Sequence, residues 1–225
     1  MLLQKFRKFD DGDTLTALGY DIVIRRKKIG ELAMPSGDLV ACDPLRFLET
    51  EPFELTLEPG YYPVVLLVAE LRDDDRVAYA TVRVKDTEPA RWEKAHLVGE
   101  TPDIFSSDAG YPVDSSVGCF MDADTASMML DYTHAVMQED DEFRRALHSQ
   151  FNRNRKYGYS WANVELKRDV KIPNAGARNI LCFESGWGPG LYDTWLGYDD
   201  DGELSQIVTD FEVLDLRFNT FRWNR

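Results

Sequence analysis

The chain has 225 residues, 44% hydrophobic and 12% aromatic, enough to bury a substantial core and to exclude wholesale disorder. Its formal charge of −14 opposes general affinity for nucleic acid or anionic membranes, because the phosphates would be repelled. A basic protein is the partner class compatible with such a surface.

The first residues, Met1-Leu2-Leu3-Gln4-Lys5-Phe6, lack the continuous apolar core of a signal peptide, and no run is long enough to span a bilayer. A cytoplasmic location is expected. A strand is expected over 20–24, and the basic run Arg25-Arg26-Lys27-Lys28 reads as a solvated turn. Short strands over 30–34 and 39–42 flank the turn Pro35-Ser36-Gly37. At Asp43-Pro44 the period changes: Asp can cap a helix, Pro suits its first position, and a turn or short helix over 44–48 follows.

Residues 53–57 and 62–70 read as strands, the second apolar enough for the centre of a sheet. Pro63 belongs at its start, having no amide to donate. After Asp73-Asp74-Asp75, Ala78, Ala80, Val82 and Val84 alternate with Tyr79, Thr81 and Arg83, as a hairpin partner would. Residues 88–97 have helical character, and 99–112 form a loop rich in Gly, Pro, Ser and Asp. The boundary falls there: a β-rich unit over 1–98 and a β unit over 99–225 carrying a helical insertion at about 123–151, within one globular body.

In the insertion Ala126, Met129, Leu130, Thr133, Val136 and Met137 share one helical face. Phe143, Ala146, Leu147 and Phe151 continue the pattern in a second helix. The stretch from Asn152 to Trp161 is basic with interleaved aromatics; alone it would suit stacking on single-stranded nucleic acid, but the acidic whole favours a mobile loop. Strands over 164–171, 179–184, 191–198 and 204–218 complete the chain, with an apolar phase slip between Val213 and Leu214 that suggests a bulge or a change of partner. Asp199-Asp200-Asp201-Gly202 lacks the alternating ligands and terminal Glu of a calcium loop and reads as a hairpin turn.

Cys42, Cys119 and Cys182 are too few for a disulfide framework, and each lies in an apolar run where it acts as a small hydrophobe. His96, His134 and His148 are isolated on expected helices, so no zinc site is expected. Gly186-Trp187-Gly188-Pro189-Gly190 is followed by no lysine or helix start, which argues against a phosphate cradle and for unusual backbone angles or close approach.

The second half echoes the first. Pro35 to Asp43 is answered by Asp114 to Asp122, each a serine turn, an apolar run and an aspartate. Phe53-Glu54, Pro59-Gly60 and Tyr62 are answered by Phe183-Glu184, Pro189-Gly190 and Tyr192. The motifs gather Asp43, Asp114, Asp122, Asp193 and Asp210 with Ser36, Ser115 and Tyr192. Asp43, Asp114, Asp122, Tyr192 and Asp210 are the catalytic candidates, able to divide acid and base roles if their pKa values were driven apart. Asp114, Asp122 and Asp210 are the candidate ligands for Mg²⁺ or Ca²⁺ through hard oxygens, and no other cofactor is expected. The competing reading is architectural: Asp43 and Asp122 each stand where a strand ends and a helix can begin, and Asp210, opposite in phase to Phe211, is expected to face solvent.

On these motifs the chain resembles an uncharacterised, mostly bacterial family, number 4241 among the domains of unknown function. Met34-Pro35-Ser36-Gly37 with Cys42-Asp43-Pro44, and Pro59-Gly60-Tyr61-Tyr62-Pro63-Val64, carry the first part of the resemblance. Val113-Asp114, Cys119-Phe120-Met121-Asp122, Ser185-Gly186 with Gly190 and Tyr192, and Thr209-Asp210-Phe211 carry the rest, from about residue 30 to 211. It implies no settled activity. The family usually has Gly-Asp-Gly where this chain has Gly188-Pro189-Gly190, so any metal or proton-transfer role of that aspartate would be lost here.

The expected fold is α+β and predominantly antiparallel, with two related β units and a helical insertion in the second. The expected function is a non-enzymatic protein-binding module, of the toxin-neutralising, immunity or conflict-system kind, because an acidic surface steers basic proteins and no nucleophile is paired with a base. The alternative is a carboxylate-based hydrolase, with or without a metal, using Asp114, Asp122 and Asp210.

Overall fold

The computed structural model of the protein describes residues 6, 8–17, 20–100, 110–136, 141–156, 158–214 and 222–223. In chain order the strands are β1 (Thr14–Ala17), β2 (Tyr20–Met34), β3 (Leu39–Cys42), β4 (Gly60–Glu70), β5 (Asp75–Arg83), β6 (Arg91–Lys94), β7 (Tyr111–Val113) and β8 (Val117–Asp122). After helices α1 (Ala123–Ala135) and α2 (Glu142–Asn154) come β9 (Trp161–Glu165), β10 (Asn179–Glu184), β11 (Gly190–Tyr192), β12 (Thr194–Tyr198), β13 (Leu204–Asp210) and β14 (Arg222–Trp223). The fold is α+β, and every strand pair among the described residues is antiparallel.

An eight-stranded sheet runs β14-β1-β2-β4-β5-β13-β12-β6, and a four-stranded sheet runs β3-β8-β10-β9. A two-stranded ribbon, β11-β7, stands apart from both. Both sheets draw strands from either side of residue 98, since β13 pairs with β5 and β8 with β3. Leu32, Val64, Leu66 and Val82 of the large sheet share one core with Ala41, Phe120, Leu181 and Phe183 of the small one. The alternate residues of the small sheet, among them Val40, Cys42, Cys119, Met121 and Cys182, share a second core with Met129, Phe143, Leu147 and Phe151 of the helices. The small sheet is therefore covered on both faces, and all six residues of β8 are buried. Each fully buried Leu or Phe contributes about 1.5–3 kcal/mol, so this double coverage is a main source of stability.

Several local expectations are corrected. The basic run 25–28 is no turn; it lies inside the 15-residue β2, whose pairing with β4 shifts between Lys28 and Gly30. The four cations are divided between the two faces of β2: Lys27, opposite Leu66, lies over the Trp161 ring, while Arg26 and Lys28, opposite Leu67 and Val65, lie on the other face. The expected helix over 88–97 contains the strand β6 instead, because Trp92 opposite Gly197 buries itself at the end of the large sheet; His96 thus lies outside any helix. Residues 53–57 hold only isolated bridges, Phe53 to Leu97 and Thr56 to Asp38. The strand expected over 164–171 stops at Glu165 and gives way to a π-helical turn, Leu166–Val170. The strand expected over 191–198 is two, β11 and β12, which belong to different sheets.

The segment expected to be a mobile basic loop is helical to Asn154, bridges Lys156 to Tyr159 and enters β9 at Trp161, whose ring lies under Lys27 Nζ at 4.8 Å. The strand expected over 204–218 ends at Asp210, so Val213 and Leu214 stand in a turn and form no bulge, and the loop expected over 99–112 ends in β7 at Tyr111. Tyr157, Met137 and residues 101–109 and 215–218 lie outside the described residues. The Asp199–Gly202 hairpin is present and joins β12 to β13. No helix among the described residues is long and apolar enough to cross a membrane.

Candidate functional site

The strands β3 and β8 pair so that Ala41 faces Phe120, Leu39 faces Asp122 and Cys42 faces Cys119. Each strand follows a serine turn and ends on an aspartate, and antiparallel pairing places each aspartate against the other strand's turn. Asp122 Oδ2 accepts the Ser36 hydroxyl at 2.7 Å and the backbone N–H groups of Ser36 and Gly37 at 2.9 and 3.3 Å. Its Oδ1 accepts the N–H of Asp124 at 3.0 Å, which makes Asp122 the N-cap of α1. Asp43 grips the other turn in the same manner, with a turn and no helix after it. Its Oδ2 accepts the N–H groups of Asp114 and Ser115 at 2.9 and 2.6 Å, and its Oδ1 accepts the Ser115 hydroxyl at 2.8 Å and the Leu45 N–H at 2.9 Å. Both aspartates are fully buried. The two clasps lie on either side of the Ala41–Phe120 pair. Elsewhere the echoed motifs diverge, since Phe53 forms an isolated bridge whereas Phe183 lies within β10.

The Asp43 clasp positions the surface beside it. Ser116, at φ 63°, follows the gripped turn, and its carbonyl accepts the N–H of Ser185 at 3.1 Å. The loop after Ser185 is fixed from beneath. Tyr192 Oη donates to the Gly188 carbonyl at 2.7 Å, and the Ser185 hydroxyl donates to the same carbonyl at 2.8 Å. The Tyr192 ring meets Phe211 edge-on at 4.9 Å, and burial pushes its phenol above the ordinary pKa. Gly186, at φ 46°, must be glycine: a Cβ there would stand 2.6 Å from Phe211 Cβ.

On this base Trp187 is 57% exposed and Leu191 46% exposed. Arg76 of β5 reaches across, donating to the Gly186 carbonyl at 3.1 Å and to Asp74 at 2.6 Å, with its guanidinium 5.3 Å from the Trp187 ring centroid. Pro112, opposite Leu191 in the ribbon, is also exposed. Acidic residues border the face. Asp114, on the clasped turn, keeps a side chain 65% exposed and a loose pairing with Arg46 at 3.6 Å, and Glu212 is exposed beyond Phe211, next to Gly186.

The expected carboxylates thus fall into separate places. Asp43 and Asp114 meet, but through Asp43 and the backbone of Asp114. Asp122 serves the opposite clasp. Asp193 pairs with Lys94 at 3.0 Å, and its carbonyl accepts the N–H of Asp210. Asp210 does not face solvent; it is 2% exposed and its Oδ1 accepts the Glu212 N–H at 2.8 Å, turning the chain at the end of β13. No group of three His, Cys, Asp or Glu residues arranged to hold a metal ion occurs among the described residues. Arg76 was not legible in the sequence because its partner lies 110 residues away, and the glycines beside Trp187 do not by themselves say whether its indole is buried.

A family model described as "Protein of unknown function (DUF4241)" matches residues 32–209, which include both clasps and the Trp187 loop. No curated protein and no solved structure matches the chain.

Proposed function

The chain therefore belongs to the DUF4241 family, and we propose that it works as a protein-binding module that takes a basic partner on the face around Trp187. The observation that carries this reading is the exposed Trp187 on a loop whose backbone is tied down by Tyr192, Ser185 and Arg76. Tryptophan and arginine are the residues most often found at the energetic centres of interfaces, and a loop ordered in advance loses little entropy on binding. Asp114 and Glu212 at the border, together with the net charge of −14, favour approach by a cationic surface. An immunity or toxin-neutralising role is the form of this reading in which the partner is a basic, nucleic-acid-binding protein. Asp43 supports it indirectly, because its carboxylate is committed to the backbone and serine donors of the turn beside the face.

The test is affinity capture from the native host at moderate salt, comparing the natural chain with Trp187→Ala. One basic protein recovered repeatedly by the natural chain and lost with Trp187→Ala is the expected result. Absence of any specific partner across repeated captures, or equal recovery by the variant, removes the proposal.

A further inference from the structure

The large sheet has a second distinctive feature, on the face turned away from the small sheet. Strand alternation puts Arg26 and Lys28 of β2, Pro63 and Val65 of β4 and Arg83 of β5 on that face, with Lys28 opposite Val65. The N-terminal segment crosses one end of it: Phe6 packs on Tyr79 and Trp92 at 5.5 and 4.6 Å, and Arg26 Nη1 reaches the Phe9 carbonyl at 3.5 Å. Beside that crossing an open groove of about 500 Å³ remains, floored by Pro63 and Val65. Five cations line it: Lys8, Arg26, Lys28, Arg83 and Lys85.

In a chain with 40 acidic and 26 basic residues, such a gathering on an apolar floor is unusual. Asp10, Asp86 and Glu88 are the acidic residues of the same groove. Four of the cations hold carboxylates: Lys8 with Glu88 at 3.3 Å, Lys28 with Glu31 at 2.9 Å, Arg83 with Asp86 at 2.9 Å and Lys85 with Glu203 at 3.1 Å. Three of these pairs are open to water on both sides, and in the fourth Asp86 is fully exposed. Pairs of that kind are weak and exchangeable. Arg83 is the most enclosed of the four, its side chain 16% exposed.

The geometry points to a binding site for a small organic polyanion, a molecule carrying two or more phosphate or carboxylate groups on a compact apolar frame. The anionic groups replace the exchangeable carboxylates at Lys28, Arg83 and Lys85, and the frame rests on Pro63 and Val65. The volume suits a metabolite-sized ligand. The site shares no residue with the Trp187 face, so it stands or falls independently of the partner proposed above.

Calorimetric titration of the full chain with pyrophosphate and with citrate, at fixed ionic strength, tests it and separates phosphate from carboxylate ligands. Saturable one-to-one binding of at least one probe is expected. Lys28→Gln, which alters an exposed side chain, weakens it about tenfold or more, and Arg83→Gln deepens the loss. Heat indistinguishable from a sodium chloride control, or binding unchanged in Lys28→Gln, overturns the proposal.

Discussion

Asp43 and Asp122 hold each other's approach turns. Each lies seven residues after its own serine, yet Asp43 binds Ser115 and Asp122 binds Ser36, across a strand pair whose midpoint is Ala41 and Phe120. Each carboxylate accepts four hydrogen bonds within a fully buried setting, so the pair ties the entry of one strand to the exit of the other.

Removing either clasp destabilises the fold. Asp122→Asn turns part of the acceptor into a donor facing donors and costs about 2–4 kcal/mol, a fall in melting temperature of roughly 5–15 °C. Asp114→Asn changes only an exposed ion pair and costs at most about 1 kcal/mol. Thermal denaturation of the two variants checks the contrast; equal losses would contradict it.

The clasp is also a pairwise interaction. A double-mutant cycle of Asp43→Asn with Ser115→Ala is expected to show a coupling above about 0.5 kcal/mol, measured by urea denaturation. Purely additive effects would mean that the hydroxyl contributes nothing to the clasp.

What the sequence made legible follows the range of the interaction that decides each feature. The β4–β5 hairpin, the Asp199–Gly202 turn and the capping role of Asp122 are set by neighbours a few residues away, and all are found where expected. The basic run in β2 looked like a turn because its cations interrupt an apolar pattern; only pairing with β4, some forty residues on, makes it a strand. Trp92 is buried by β12, a hundred residues later, and so 88–97 looked helical. The echo was visible as spacing, but that it exchanges partners across two strands, with Ser36 and Asp122 86 residues apart, is a property of register alone. Asp210 misled for the same reason: its burial comes from β-strand neighbours that its local alternation does not reveal.

The three cysteines form a row across β3, β8 and β10, Cys42 opposite Cys119 and Cys119 opposite Cys182, with the first two sulfurs 3.7 Å apart. Burial pushes the Cys119 and Cys182 thiols well above their ordinary range. A colorimetric disulfide reagent at neutral pH is therefore expected to label the native protein very slowly and to find three thiols at once in denaturant. Rapid labelling of any one of them without denaturant would contradict this packing.

Acid stability should carry the mark of Asp199. The N–H of Glu203, the Thr87 hydroxyl and the N–H of Asp201 all donate to its carboxylate and hold its pKa below the ordinary 3.8. A lowered folded-state pKa means that the unfolded chain binds the proton more readily. The contribution is complete above 3.8 and is lost as pH falls through the lower folded value. Melting curves taken between about pH 5 and pH 2 should show a shallower acid limb for Asp199→Asn than for the natural chain, and an unchanged limb would exclude the assignment.

The most direct measurement is site-specific photo-crosslinking in the native host, with the reactive group placed at position 187 and, as a control, at the exposed Val98. One crosslinked basic protein is expected at position 187 and none at 98, with loss of the adduct as salt is raised. No adduct at 187 under any salt condition, or the same adducts at both positions, would contradict the assignment of the Trp187 face as the binding surface.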